Sequence, residues 1–460
     1  MVANLAVMAL IARAVSPTSF GQYVLILSII AICTQIADFG TTPVFAKQTP
    51  GHRANYQAFW GNFLLVRLAL LLPAFAAAGI AAFFLWADTG SALLVAGLSI
   101  PFVSARFFDP MYQVFARPWY SAIALSVTAA AFIALNAAAA LWWPSLDGFI
   151  LAYTVANGLY VGVAFLLAGR IVSISLRPDP ALIRQTLRLA VPIGLAALLT
   201  VVNGRANLLF LMQMQGMDAV AVYGAAARFL EIAVNFMIIM LGPLIPLFSG
   251  MAHDRPALAA SYQQFLLLLL VVVLPVLVVV PYLSEPVVTF VYGAQYDNAA
   301  VVVDLLAVVG ALVPFALLSS FALLALSITR NWLWVTGAGV ALNLLLNALL
   351  VPRLGCVGSA WAQIGSEILM VGMTFVAIHW YLPRALPGWK ILAIVLANLA
   401  VAGVMHLEAG RFGFAVVPLA MLPLLLGGAW LLGPLRTRPG GGAAPCAGIT
   451  CEADPRTGIL

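Results

Sequence analysis

Fourteen apolar runs follow one another along this chain, near residues 1–14, 19–40, 56–86, 91–115, 118–143, 147–169, 186–213, 219–249, 262–283, 298–326, 331–351, 357–381, 389–407 and 412–433. Most reach the length of about 20 residues that a helix needs to cross a hydrocarbon core. Backbone polar groups find no water there, so such runs must close their hydrogen bonds internally, as helices. The connections are mostly too short to house a domain. Charged residues make up only 8% of the chain, against about a quarter in an average soluble protein. The expected fold class is an all-α polytopic membrane protein with fourteen transmembrane helices.

The first run has 14 residues before the Ser16-Pro17 break and no basic leader. No cleaved signal is expected, and the first helix reads as truncated. An even number of crossings places both termini on one side, and cytoplasmic loops are enriched in Lys and Arg. On the side of the termini lie fourteen basic residues, Lys47, Arg53, Arg117, Arg170, Arg177, Arg184, Arg188, Arg255, Arg330, Arg384, Lys390, Arg436, Arg438 and Arg456. The other side has Arg13, Arg353 and Arg411. Both termini are therefore expected to be cytoplasmic.

The net charge of +6 is spread over many short loops rather than gathered on one element, which argues against a nucleic-acid partner. Cys33 and Cys356 fall at spans or their ends and Cys446 and Cys451 in the tail, with no histidine near them, so neither a metal site nor a disulfide is expected. His52, His253, His379 and His406 are scattered without metal-ligand spacing. There is no phosphate-binding loop and no ATPase domain, and no cofactor or enzymatic role is read from the chain. Any work done must draw on an ion gradient, a substrate gradient or another subunit.

The longest cytoplasmic connection, residues 170–188, separates six runs from eight. The expected organisation is an N-terminal lobe at 1–170, a linker at 171–185, a C-terminal lobe at 186–383, two additional helices within 384–433, and a disordered Gly/Pro-rich tail at 434–460. A shift of 200 residues aligns Tyr23 and Pro43 with Tyr223 and Pro243. Such pairs fit the internal repeats from which many transporters are built, with the substrate site between the halves.

Nine charged side chains fall inside the runs, where a charge is costly unless it meets water, a partner or a ligand. Arg106/Asp109 and Arg228/Glu231 are each three residues apart, so each can pair on one helix face. Arg205 has only neutral Asn203 and Asn207 beside it and needs a distant carboxylate, water or an anionic ligand; Arg67 is similarly alone. These four arginines are the candidate cavity cations. Asp304 and Glu367, which have no basic neighbour, and Asp38 are the candidates for ion coupling.

The stretch NLLLNALLVPRLGCVGSA, residues 343–360, carries Asn343 and Asn347 on one helix face, where they can hydrogen-bond to neighbouring helices. Pro352 and Gly355 end that helix, and Gly358, Ser359 and Ala360 allow close packing in the next. This arrangement, with Glu367 after it, resembles the polysaccharide biosynthesis and O-antigen flippase branch of the multidrug/oligosaccharidyl-lipid/polysaccharide exporter superfamily. Three further stretches match in order: ARAVSPTSFGQYVL (12–25) with ADFGTTPVFAKQ (37–48), GMDAVAVYGAAARFLE (216–231) with PLIPLFS (243–249), and FVYGAQYDNAAVVVDLLA (290–307). The short first helix and Ser359, where the family has Ala, depart from the pattern.

The resemblance implies a MATE-like fold, two six-helix lobes in a V around a central cavity with two C-terminal helices added. It implies flipping of undecaprenyl-pyrophosphate-linked sugar repeat units across the bacterial inner membrane, with membrane lipids, and the polysaccharide polymerase or export machinery, as partners. Unpaired intramembrane arginines suit such a headgroup, since guanidinium donors match pyrophosphate oxygens. A multidrug/cation antiporter of the same fold would favour acids or aromatics in the cavity. A membrane glycosyltransferase or polymerase would need a larger extracytoplasmic loop than the one at 284–297.

Overall fold

The computed structural model describes residues 2–48, 56–85, 89–115, 117–171, 178–326, 328, 330–383 and 388. Among these it is helical without a strand. The expected helices at 389–407 and 412–433 and the tail lie outside the described residues. The order is α1 (Val2–Ala14), α2 (Pro17–Asp38), α3 (Thr41–Gln48), α4 (Tyr56–Phe84), α5 (Gly90–Gly97), α6 (Ile100–Ser104), a 3-10 turn (Ala105–Phe107), α7 (Phe108–Val114), α8 (Pro118–Trp142), α9 (Leu146–Ala168), α10 (Pro180–Gln215), α11 (Met217–Leu241), α12 (Leu244–Gly250), α13 (Arg255–Tyr292), a 3-10 turn (Ala294–Tyr296), α14 (Ala299–Ala325) and α15 (Arg330–Tyr381).

Local chemistry sets the boundaries. Pro17 opens α2 behind Ser16, whose hydroxyl accepts the Ser19 N–H at 3.3 Å, a cap that satisfies one of the orphan donors of a helix start. Asp179 caps α10 and Asp254 caps α13 in the same way. Two left-handed residues, Phe39 and Gly40, stop α2. The 52 residues of α15 would extend about 78 Å as one rod at about 1.5 Å per residue. That is more than twice a hydrocarbon core of about 30 Å. Gly355, at φ 55 and ψ −131, breaks it into two crossings.

Nine helices among the described residues are long and apolar enough to span a membrane. The run at 91–115 is bent by 41° between α5 and the segment from Ile100, and would make a tenth. Large apolar side chains face outward along these helices, among them Phe84, Trp142, Phe290 and Trp380. In water such a surface would be an aggregation hazard; against lipid it costs nothing.

Helices α2–α3 and α11–α12 repeat one another at the 200-residue shift, each a long helix, a glycine-marked break and a short helix. They pack face to face. Thr18 donates to Asp218 at 2.7 Å. Gly21 lies against the Met217 carbonyl and the Ala221 nitrogen, and Gly224 lies against Val24. Residues that match in the repeat, 21 with 221 and 24 with 224, thus meet each other, as an approximate two-fold axis between the helices requires.

One end of the bundle is closed by bonds between the halves. Arg13 reaches the carbonyls of Phe290 and Val291 at the C-terminus of α13, and Gln295 donates to the Ala12 carbonyl at 2.9 Å. At the other end Gly40 sits on the backbone of Ala190 and Gly194, and the Asp179 N–H donates to Asn62 at 2.6 Å.

Candidate functional site

A cavity of about 500 Å³ lies within the second half and reaches α2 at Ala31. It is bounded by α10, α11, α14 and α15, and runs from Asn207 and Tyr223 towards the turn between α14 and α15, where Ile328 and Val335 line it. Most of its wall is aliphatic; its charged lining is Arg205, Glu231 and Glu367.

Arg205 is not without an acid. Its guanidinium pairs with Glu231 of α11 at 2.8 Å, and the other Glu231 oxygen takes Arg228, one turn earlier, at 2.7 Å. The i,i+3 pairing of Arg228 with Glu231 is present, but it is part of a triad of two cations and one anion. That leaves one positive charge uncompensated within the triad. Arg205 is 23% exposed and lines the cavity, whereas Arg228 is buried behind it. Glu367 lines the same space, 5% exposed, with no ion pair among the described residues.

The wall beside the triad is a buried amide network. Asn207 donates to the Tyr223 hydroxyl at 2.7 Å and to Gln363 at 2.9 Å. Asn343 donates to Gln363 at 2.8 Å, Asn347 to Asn207 at 2.8 Å, and Ser359 to Asn347 at 2.8 Å. Four helical segments, α10, α11 and both halves of α15, are tied through these groups. A network with its members satisfied specifies one arrangement of the helices, because any slip strands a buried amide. Gly358 permits the close approach across the α15 break, since a Cβ there would lie 2.5 Å from the Leu350 carbonyl oxygen. Pro352 lies three residues before the break at Gly355.

A second cavity of about 350 Å³ lies on the other side of Ala31, among α2, α3, α6, the 3-10 turn at 105–107 and α9. Arg106, Asp38, Thr42 and Tyr153 line it. Arg106 makes no ion pair among the described residues: Asp109 instead accepts Tyr160 at 2.9 Å and the Ser121 hydroxyl. The expected Arg106/Asp109 couple is thus replaced, because hydroxyls from α8 and α9 occupy the carboxylate and the two residues sit on different short elements. Tyr153 lies near Arg106, Arg205 and Arg228.

Arg67 is not a lone cation either. It pairs with Asp38 and Thr42, donates to the Ser104 carbonyl at 2.8 Å, and lies over the rings of Phe63 (5.5 Å) and Phe107 (4.9 Å). At 4% exposure it faces neither cavity. Asp304 lies against Ser284 of α13, apart from both cavities. Sequence reasoning missed Gln363 and Tyr223 as parts of the wall. Gln363 is four residues before Glu367 on the same helix face, and that spacing is the signal that identifies it.

Long apolar helices, a repeated helix pair and a cavity with internal charge define the class, a multi-pass membrane protein. The chain belongs to a family described as polysaccharide biosynthesis protein, whose model matches residues 10–301. The lipid II flippase MurJ in an inward closed conformation is similar in fold, with TM-score 0.73, 14% identity, 93% of this chain and 96% of that chain covered. An inward-facing multidrug resistance MATE transporter gives 0.65 at 14% identity over 82% and 94% of the two chains. A superfamily transporter from Pyrococcus furiosus, described as having a binding pocket of reversed polarity, gives 0.59 at 16% over 84% and 91%. No curated protein matches the chain in sequence.

Proposed function

We propose that this protein flips undecaprenyl-pyrophosphate-linked oligosaccharide repeat units across the bacterial inner membrane for surface polysaccharide export, with both termini cytoplasmic. The observation that carries the reading is the Arg205–Glu231–Arg228 triad, two cations on one anion at the wall of a mostly aliphatic cavity. A fixed excess cation in a desolvated wall favours an anion there, and a guanidinium offers two parallel donors to a phosphate. The family description names polysaccharide biosynthesis, and a fold relative is named as a lipid II flippase. In this orientation the end closed by Arg13 and Gln295 is extracytoplasmic and the cavity opens towards the cytoplasm. Glu367, a buried carboxyl at the cavity wall without an ion pair among the described residues, is the coupling site this reading favours over Asp304 and Asp38.

The test is complementation of polysaccharide export in a deletion strain, with protein level measured in the same membranes. Arg205→Ala leaves Arg228 and Glu231 as a neutral pair, so the protein is expected to accumulate normally while export is lost. Arg205→Lys keeps the charge but not the bidentate donors, and is expected to be impaired to a lesser degree. Full export by Arg205→Ala overturns the headgroup role.

A further inference from the structure

Tyr112, Tyr160, Tyr223 and Tyr262 are all buried, and each hydroxyl has a partner: the Ala164 carbonyl, Asp109, Asn207 and Ser319. Tyr23, Tyr292 and Tyr296 are equally buried, at 0% exposure, and their hydroxyls have no hydrogen-bond partner among the described residues. Buried hydroxyls in native proteins are nearly always paired, so each orphan implies an unseen polar neighbour. These three are not scattered. The Tyr292 and Tyr296 rings lie 5.8 Å apart, both against Phe20, in the seam between the two halves.

The seam is bounded by charge at both ends. Tyr296 has exposed Asp218 as its charged neighbour, at the end of the bundle closed by Arg13 and Gln295. Tyr292 has Arg228 and Glu231, the inner members of the cavity triad. Tyr23 has Arg228 and Tyr153, which lines the second cavity. From the closed end inward the row reads Asp218, Tyr296, Tyr292 and then the triad, with Tyr23 alongside on α2 between that end and the depth of Arg228. Hydrophobic packing surrounds it on α2, α11 and α14, with Val24, Phe229 and Leu306 in the same core.

We propose that this row of tyrosine hydroxyls holds a file of water molecules that carries protons from the extracytoplasmic surface into the cavity while that end stays closed to the substrate. A hydroxyl in such a file accepts a proton from one water and releases its own to the next, so each tyrosine ends unchanged and one proton moves inward. Arg228 at the inner end is paired with Glu231, and the excess charge of the triad sits on Arg205 at the cavity face. The other charged groups about the row are Arg205 on α10, Arg13 on α1 and Asp304 on α14, the last turned to Ser284. In the cavity the acceptor is Glu367. The direction of transfer and the acceptor rest on the proposed function; the hydration of the row does not.

The experiment has two arms, both on the full chain in vesicles of phosphatidylethanolamine and phosphatidylglycerol. Radiolytic hydroxyl labelling marks side chains beside bound water irrespective of solvent exposure. Tyr292 and Tyr296 are expected to be labelled, and Tyr112 and Tyr262, as buried but internally bonded, are expected to stay unlabelled. The second arm follows an interior pH dye after external acidification. Tyr292→Phe with Tyr296→Phe is expected to bring proton entry down to that of protein-free vesicles, with the unfolding temperature unchanged or raised, because the hydroxyls removed hold no protein bond. Absent labelling overturns the hydrated row. Labelling with proton entry unchanged in the double variant overturns the proton path. Neither outcome touches the export loss expected of Arg205→Ala, which tests the flippase reading separately.

Discussion

Asp38 and Arg67 show how a single residue is held in this bundle. Arg67 is sealed by Asp38, Thr42 and the Ser104 carbonyl under two phenyl rings. Removing one partner of a buried pair leaves an uncompensated charge, at a cost of about 3–5 kcal/mol, whereas replacing both with neutral groups of similar size is often tolerated. Asp38→Asn is expected to destabilise the detergent-solubilised protein by about that amount, measured by thermal unfolding, and Asp38→Asn with Arg67→Met to recover most of it. Recovery of stability with full export would show that Arg67 serves the fold; recovery of stability without export would return it to the list of substrate contacts. That Arg67, Arg205 and Asp38 stand as charges inside apolar runs was legible, because such a charge is conspicuous. Their partners were not. Asp38 and Glu231 lie on other helices, and no spacing rule within one helix reaches them; the rule of three that did apply failed for Arg106 because Tyr160 and Ser121 hold Asp109.

At the scale of elements, breaks and repeats were readable where they rest on backbone chemistry. Pro352 and Gly355 announced the division of α15, and Tyr23/Pro43 against Tyr223/Pro243 announced the repeat of α2–α3 in α11–α12. The face on which those helices meet was not readable, since Gly21 and Gly224 are two among 37 glycines. In the structure they set the contact: a Cβ on Gly224 would lie 2.6 Å from a Val24 methyl. Gly224→Leu is expected to force the lobes apart at that point, and overpacking of this kind costs about 1–3 kcal/mol. Chemical cross-linking between Thr18→Cys and Asp218→Cys, efficient in the otherwise unaltered chain, is expected to fall in the Gly224→Leu background. Undiminished cross-linking would mean that the α2–α11 contact yields elsewhere and does not set the separation of the halves.

For the whole molecule, the two halves close on each other through Arg13, Thr18–Asp218 and Gln295 at one end; a seam of orphan hydroxyls lies between them there, and the charged cavity lies within the second half. An excess cation in the cavity suits cargo with a phosphate. The alternative of cation or drug antiport would place an excess of negative charge where the triad leaves a positive one. The most direct measurement reconstitutes the purified protein into vesicles carrying a labelled undecaprenyl-pyrophosphate oligosaccharide and follows the fraction that an added glycosidase can reach. Time-dependent movement of the oligosaccharide by the unaltered protein is expected, lost in Arg205→Ala and retained in part in Arg205→Lys. Movement at equal rates in all three, or none in the unaltered protein while it exchanges a cationic dye, would contradict the flippase role.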